Sequence, residues 1–176
     1  MARVQSFAPV LGKRPRILIL GSMPGIASLE AVQYYAHPRN AFWPIMAELF
    51  SIDAERNYDE RIAQIEQAPV ILWDTLKRCD RPGSLDASIK RDSVEANDIP
   101  DLLDKHPGIR AVACNGATSA NYFRKLVLPN LSPDIEVELL PMPSTSPANA
   151  GMTFAQKLAA WRRLLPSETR RHSIQG

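Results

Sequence analysis

The sequence predicts an α/β domain built on a parallel sheet with helices on both faces, and three observations lead there. Four short runs rich in Ile, Val and Leu recur along the chain, helix-like stretches separate them, and no internal repeat or long linker interrupts the series. At 176 residues the chain also falls within the roughly 100 to 200 residues of one domain.

The first run follows Pro15 and reads RILILGSMPG, a β-branched and leucine stretch ended by glycine and proline, as a buried strand entering a loop should be. The others are VILWDT (70–75), IRAVACNG (109–116) and IEVELLPMPS (135–144). Helices are predicted over 41–50, 58–66, 99–105, 117–128 and 153–165. In the last of these Phe154, Leu158, Trp161 and Leu165 fall at steps of three and four and should share a face toward the sheet, which makes Trp161 core. Phe42 and Trp43 open a helix with Ile45, Met46 and Leu49, and packing is the favoured role for both. One domain is expected over 1–165. Residues 166–176, polar and basic after Pro166, should form a flexible tail.

Composition narrows the function classes. Apolar content of 45% and charged content of 23% are globular averages, and no apolar run approaches the roughly 18 residues of a membrane span. The N-terminal MARVQSFAPVLGKRPR lacks the apolar core of a secretory signal, so a soluble, cytosolic protein is expected. Cys79 and Cys114 are too few for a four-cysteine centre, and His37, His106 and His172 have no paired-ligand spacing, so neither a metal nor another cofactor is expected. Net charge is +2, but its placement is uneven: residues 51–66 are acidic, whereas Lys77, Arg78 and Arg81 cluster, as do Arg162, Arg163, Arg170 and Arg171. These clusters are either ordinary solvated surface or a basic face for a polyanion.

Ligands of open parallel sheets bind beyond the carboxyl ends of the strands. That directs attention to loops 21–40, 74–90, 115–119 and 141–151, of which the first and last are the most unusual. GSMPG (21–25) offers glycines for close approach and amides for an anion or carbonyl oxygen, but it is neither GxGxxG, GxxxxGK[ST] nor GxSxG. YYAHPRNAFW (34–43) concentrates two tyrosines, a histidine, an arginine and an asparagine. Tyr34 or Tyr35 could stack on a flat heterocycle while the other serves the core, and Asn40 stands where a helix N-cap belongs. PMPSTSPANA (141–150) sets three hydroxyls between prolines, suited either to phosphate oxygens or to turns and caps. From the residues alone, the reading stops at an α/β domain that binds something planar and anionic.

Those three motifs, GSMPG after the first strand, YYAHPRNAFW next and PMPSTSPANA after the last strand, resemble the hypoxanthine-DNA (deoxyinosine) glycosylase branch of the uracil-DNA glycosylase superfamily. The resemblance covers about residues 16–165, and the AHPxNxFW core and DRP (80–82) are also similar to the mismatch-specific uracil glycosylase branch. It implies a three-layer α/β/α sandwich around a four-stranded parallel sheet, and a monofunctional enzyme that removes a deaminated base from DNA with water, leaving an abasic site. It implies a base pocket of Gly21, Ser22, Met23, Pro24, Gly25, Tyr35 and His37, with Tyr35 stacking on the base. A DNA grip of Ser144, Thr145, Ser146, Pro147, Ala148 and Asn149 follows, helped by the basic residues at 77–81, with DNA as the partner and a monomer as the expected state. Ser22 and Met23 replace the polar residue that most of the superfamily carries in the first motif, and Asn40 is the natural substitute. Two alternatives stay open: uracil removal on the same fold, and a non-catalytic nucleotide or nucleic-acid binding module.

Overall fold

Both faces of the run ILILG are covered, which is why every residue of it is buried and why it sits at the middle of a sheet. The computed structural model describes residues 2–166. Its strands are β1 (Arg3–Gln5), β2 (Val10–Leu11), β3 (Ile17–Gly21), β4 (Val70–Asp74), β5 (Leu76–Asp80), β6 (Glu95–Ala96), β7 (Ala111–Asn115) and β8 (Glu138–Met142). Its helices are α1 (Ile26–Ala31), α2 (Phe42–Phe50), α3 (Tyr58–Gln67), α4 (Ile99–Lys105), α5 (Ala117–Tyr122) and α6 (Phe154–Trp161).

The four expected runs form the parallel core, β4-β3-β7-β8, with Gly21 paired to Asp74, Leu20 to Cys114 and Asn115 to Met142. Pro141 is tolerated because β8 is an edge strand. Two additions were not foreseen. The two-residue β2 pairs antiparallel with β4, and β1, β5 and β6 make a separate antiparallel sheet. Strands of two or three residues are too short to show a period, and LKRCD in β5 is too charged to read as an apolar run.

Alternation along β3 divides the interior. Ile17 and Ile19 face a layer of α2, α3 and α6 with Phe42, Ile45, Met46, Ile65 and Trp161, while Leu18 and Leu20 face Leu102, Leu103, Phe123 and Val127. The stretch 117–128 is not one helix. α5 ends at Tyr122 and passes into a wide turn over Phe123–Val127 and a tight one over Leu128–Asn130, where Pro129 has no N–H to continue the ladder. Similarly, α6 gives way at Arg162–Leu164 to one tight turn. Phe154 is 44% exposed, contrary to the expected face, because the packed layer begins only at Leu158. Helix α1 lay hidden in a predicted loop, since Ser28 is its only buried residue and no apolar stripe marks it. Apart from Pro166, the expected tail lies outside the described residues.

Candidate active site

The carboxyl ends of β3, β4, β7 and β8 open onto a cavity of about 660 Å³, a size usual for small-molecule sites. Every residue picked from the sequence borders it: Gly21, Ser22, Met23, Pro24, Gly25, Tyr35, His37 and Asn40 on one side, Ser144, Thr145, Ser146, Pro147, Ala148 and Asn149 on the other. The structure also brings in Asp74, residues 84–87 and residues 115–118, none of which was picked as a site residue.

The two tyrosines have different surroundings. Tyr34 is 4% exposed; its hydroxyl donates to Ala8 O (2.7 Å), its N–H to the Tyr58 hydroxyl (3.1 Å), and its carbonyl accepts from Trp43 Nε1 (3.0 Å). It therefore serves the core. Tyr35 adopts a left-handed backbone, φ 56°, which for a bulky residue costs of order 1 to 2 kcal/mol. That turn lays its ring on Phe42, centroids 3.9 Å apart, and Tyr35 also borders the cavity. Its hydroxyl reaches the buried floor beside Asn115, where it has no hydrogen-bond partner of good geometry, and burial there raises its pKa.

Asn40 accepts a hydrogen bond from Phe42 N–H at Oδ1 (2.9 Å), bracing the entry to α2 from one residue before the cap position, Ala41. The amide Nδ2 has no such task. The neighbouring Ala41 N–H donates to Thr145 O (2.9 Å), so the HPRN and STSPAN loops are stitched together across more than a hundred residues. His37 Nδ1 accepts from Arg39 N–H (3.1 Å).

The STSPAN loop is preset by internal bonds. Thr145, 1% exposed, is held by Asn115 at both ends: its N–H donates to Asn115 Oδ1 and its Oγ1 accepts from Asn115 Nδ2, each at 2.9 Å. Lys157 Nζ and Trp161 Nε1 donate to the carbonyls of Ser146 and Pro143. Ser144 and Ser146 accept backbone N–H groups at Oγ, which leaves each O–H free to donate to a ligand.

The floor is acidic. Asp74, at the end of β4, is 4% exposed, and its carboxylate packs against Gly21, where a methyl group would overlap Oδ1. Its Oδ2 has no hydrogen-bond partner. Burial, then Asp86 nearby, push its pKa up to about 7 against the opposing pull of Arg81. Ser22 Oγ donates to Asp86 Oδ1 (2.7 Å). Arg81, 1% exposed, spends its guanidinium on carbonyls, Nη2 on Pro24 O (2.6 Å) and Nε on Gly83 O (2.8 Å), and so clamps the GSMPG loop.

The sequence model of the Uracil DNA glycosylase superfamily matches residues 9–165. The chain belongs to that superfamily. Among similar proteins are two named hypoxanthine DNA glycosylase, from Methanosarcina barkeri (37% identical) and Methanosarcina acetivorans (31%). Each match spans 119 residues, 67% of this chain and 74% of the relative. A solution NMR structure of a Methanosarcina acetivorans protein, described as a candidate uracil DNA glycosylase, has 28% identity and a TM-score of 0.73 over 92% of this chain and 98% of that one. The α/β/α reading and the resemblance from the sequence are thus borne out.

Two parts of the superfamily reading change. Thr145 cannot offer its side chain to DNA while Asn115 holds it inside. The basic cluster is not a free patch either, because Arg81 is internal and Lys77 and Arg78 both pair with Glu95. Asp74 was the miss of most consequence: it ends a strand run, where an acid reads as the first loop residue, and only the sheet register sets it against Gly21. Among the described residues no helix is long and apolar enough to cross a membrane.

Proposed function

We propose that this chain removes hypoxanthine from deoxyinosine in DNA, hydrolysing the N-glycosidic bond and leaving an abasic site. The observation behind this reading is Tyr35, which is stacked on Phe42 and borders a cavity that Asn40 also lines. The names of the two Methanosarcina relatives support hypoxanthine as the base. A base reaches such a cavity only when flipped from the helix, at a cost of a few kcal/mol that a mispaired inosine lowers. Stacking on Tyr35 offsets part of it.

An amide is no general base near neutral pH, so Asn40 does not strip a proton from water. The bond instead lengthens first, the sugar gains oxocarbenium character, and the fixed dipoles of the GSMPG loop meet charge growing on the base. With Oδ1 bound to Phe42 N–H, Asn40 acts through Nδ2, which orients water or the leaving base. Ser144 and Ser146 hold phosphate oxygens through their free O–H groups. A monomer that acts on DNA in the cytoplasm belongs to the same reading.

A panel of duplexes containing deoxyinosine, deoxyuridine or deoxyxanthosine, scored for alkali-sensitive strand breaks, tests the reading. Breaks at deoxyinosine are expected first. Breaks only at deoxyuridine would move the chain to uracil removal, and none with any base, despite DNA binding, would make it a binding module.

A further inference from the structure

The floor of the cavity holds a carboxyl group for which the protein provides no partner. Asp74 is buried at the sheet's carboxyl edge, Oδ2 makes no hydrogen bond, and Gly21 opposite it has no side chain to cover it. The groups that could neutralise it are engaged elsewhere. Arg81, from the end of β5, is turned to the carbonyls of Pro24 and Gly83, and Asn115, from the end of β7, is closed on Thr145 at both ends. Asp86, from the turn at 86–88, adds a second negative group and takes its own hydrogen bond from Ser22. Tyr34 and Tyr35, the remaining titratable groups near it, stay neutral at physiological pH. A buried, unpaired carboxylate beside another carboxylate is unfavourable, so the proton-bearing form is the one this environment favours. That form is a hydrogen-bond donor, and it belongs to a residue that borders the cavity together with Tyr35 and Asn40.

We propose that Asp74 is the general acid of the reaction, giving its proton to N7 of the purine as the C1′–N9 bond breaks. The proposal rests on the glycosylase reading above. The electron pair of the C1′–N9 bond moves onto the base while N7, its most basic ring nitrogen, takes the Asp74 proton, and hypoxanthine departs as a neutral N7–H tautomer. Water bonds to C1′ and releases one proton, which restores the Asp74 carboxyl directly or through solvent. The sum is deoxyinosine plus water giving an abasic sugar and hypoxanthine, with nothing oxidised or reduced. A pyrimidine has no counterpart of N7, so the acid favours purine release over uracil release.

Single-turnover excision from deoxyinosine and 7-deaza-2′-deoxyinosine duplexes, by the wild type and by Asp74→Asn, tests this. Asp74→Asn keeps the shape and a donor but has no proton to give. It is expected to slow deoxyinosine excision about 100-fold or more, the lower end for general acid–base catalysis, with DNA affinity unchanged. Wild-type rate should fall as pH rises through about 7, and this limb should vanish in the variant. The 7-deaza substrate should be slow with the wild type and no slower with Asp74→Asn, because both changes remove one interaction. Losses that multiply, an unchanged pH limb, or a 7-deaza substrate cut as fast as deoxyinosine overturns the assignment; the last comparison needs no variant and is independent of folding. Base release by the wild type with any of those outcomes leaves the glycosylase reading intact, whereas no base release from any duplex removes both.

Discussion

The φ of 56° at Tyr35 shows a single residue held in a costly conformation to put one ring in one place. Because Tyr35 is stacked on Phe42 and borders the cavity, Tyr35→Ala should lower kcat/KM by roughly 1 to 3 kcal/mol, while Tyr34→Ala should chiefly lower the melting temperature, because Tyr34 anchors Ala8, Tyr58 and Trp43. The reverse pattern in paired kinetics and calorimetry would show that the tyrosines had been exchanged. Asn40 separates in the same way. Asn40→Asp keeps an acceptor for Phe42 N–H but loses Nδ2, so it should melt near the wild type and yet react far more slowly, whereas full activity in single-turnover assays would leave Asn40 a helix brace only. Asp74 also titrates against stability. Its folded pKa of about 7 exceeds the ordinary 3.8, so the folded state binds the proton more tightly; its contribution is complete below about pH 3.8 and is lost as pH rises through 7. At about 1.4 kcal/mol per unit, Asp74→Asn should be more stable relative to wild type at pH 8 than at pH 5 by a few kcal/mol in denaturant titrations, and a constant gap across that range would contradict it.

At the level of elements, the loops are rigid because distant segments hold them. Thr145 looks like a DNA-facing hydroxyl in the sequence, but it is the buried half of a two-bond pairing with Asn115. Thr145→Val would leave Asn115 Nδ2 buried without its acceptor, and a loss of about 1 to 3 kcal/mol of stability is expected in urea unfolding. Ser144→Ala and Ser146→Ala should instead melt close to wild type and weaken DNA binding about equally in every sequence context. Strong context dependence in binding titrations would place these serines on bases rather than phosphates. Gly21 is needed for space: a methyl group would overlap Asp74 Oδ1, and Gly21→Ala should displace the carboxyl and suppress base excision even where the fold survives.

Over the whole molecule, charge is nearly balanced at +2, and the basic side chains at 77–81 are paired or internal. What the sequence determined by itself is the parallel core and its functional edge. Runs such as ILILG and VILW are apolar throughout, a pattern that a strand covered on both faces requires, and their order places GSMPG, YYAHPRNAFW and PMPSTSPANA at one end of one sheet. Local sequence could not choose between Tyr34 and Tyr35, because the choice depends on a left-handed turn and on Phe42 packing beneath one ring. Nor could it reveal that Thr145 points inward or that Arg81 clamps a loop, since the partners Asn115, Met23 and Pro24 lie at 30 to 58 residues' separation. Asp74 is the sharpest case: an aspartate after an apolar run is an ordinary strand end in one dimension, and only parallel register against Gly21, with Asp86 brought near from a later turn, makes it a buried acid that holds its proton near neutral pH.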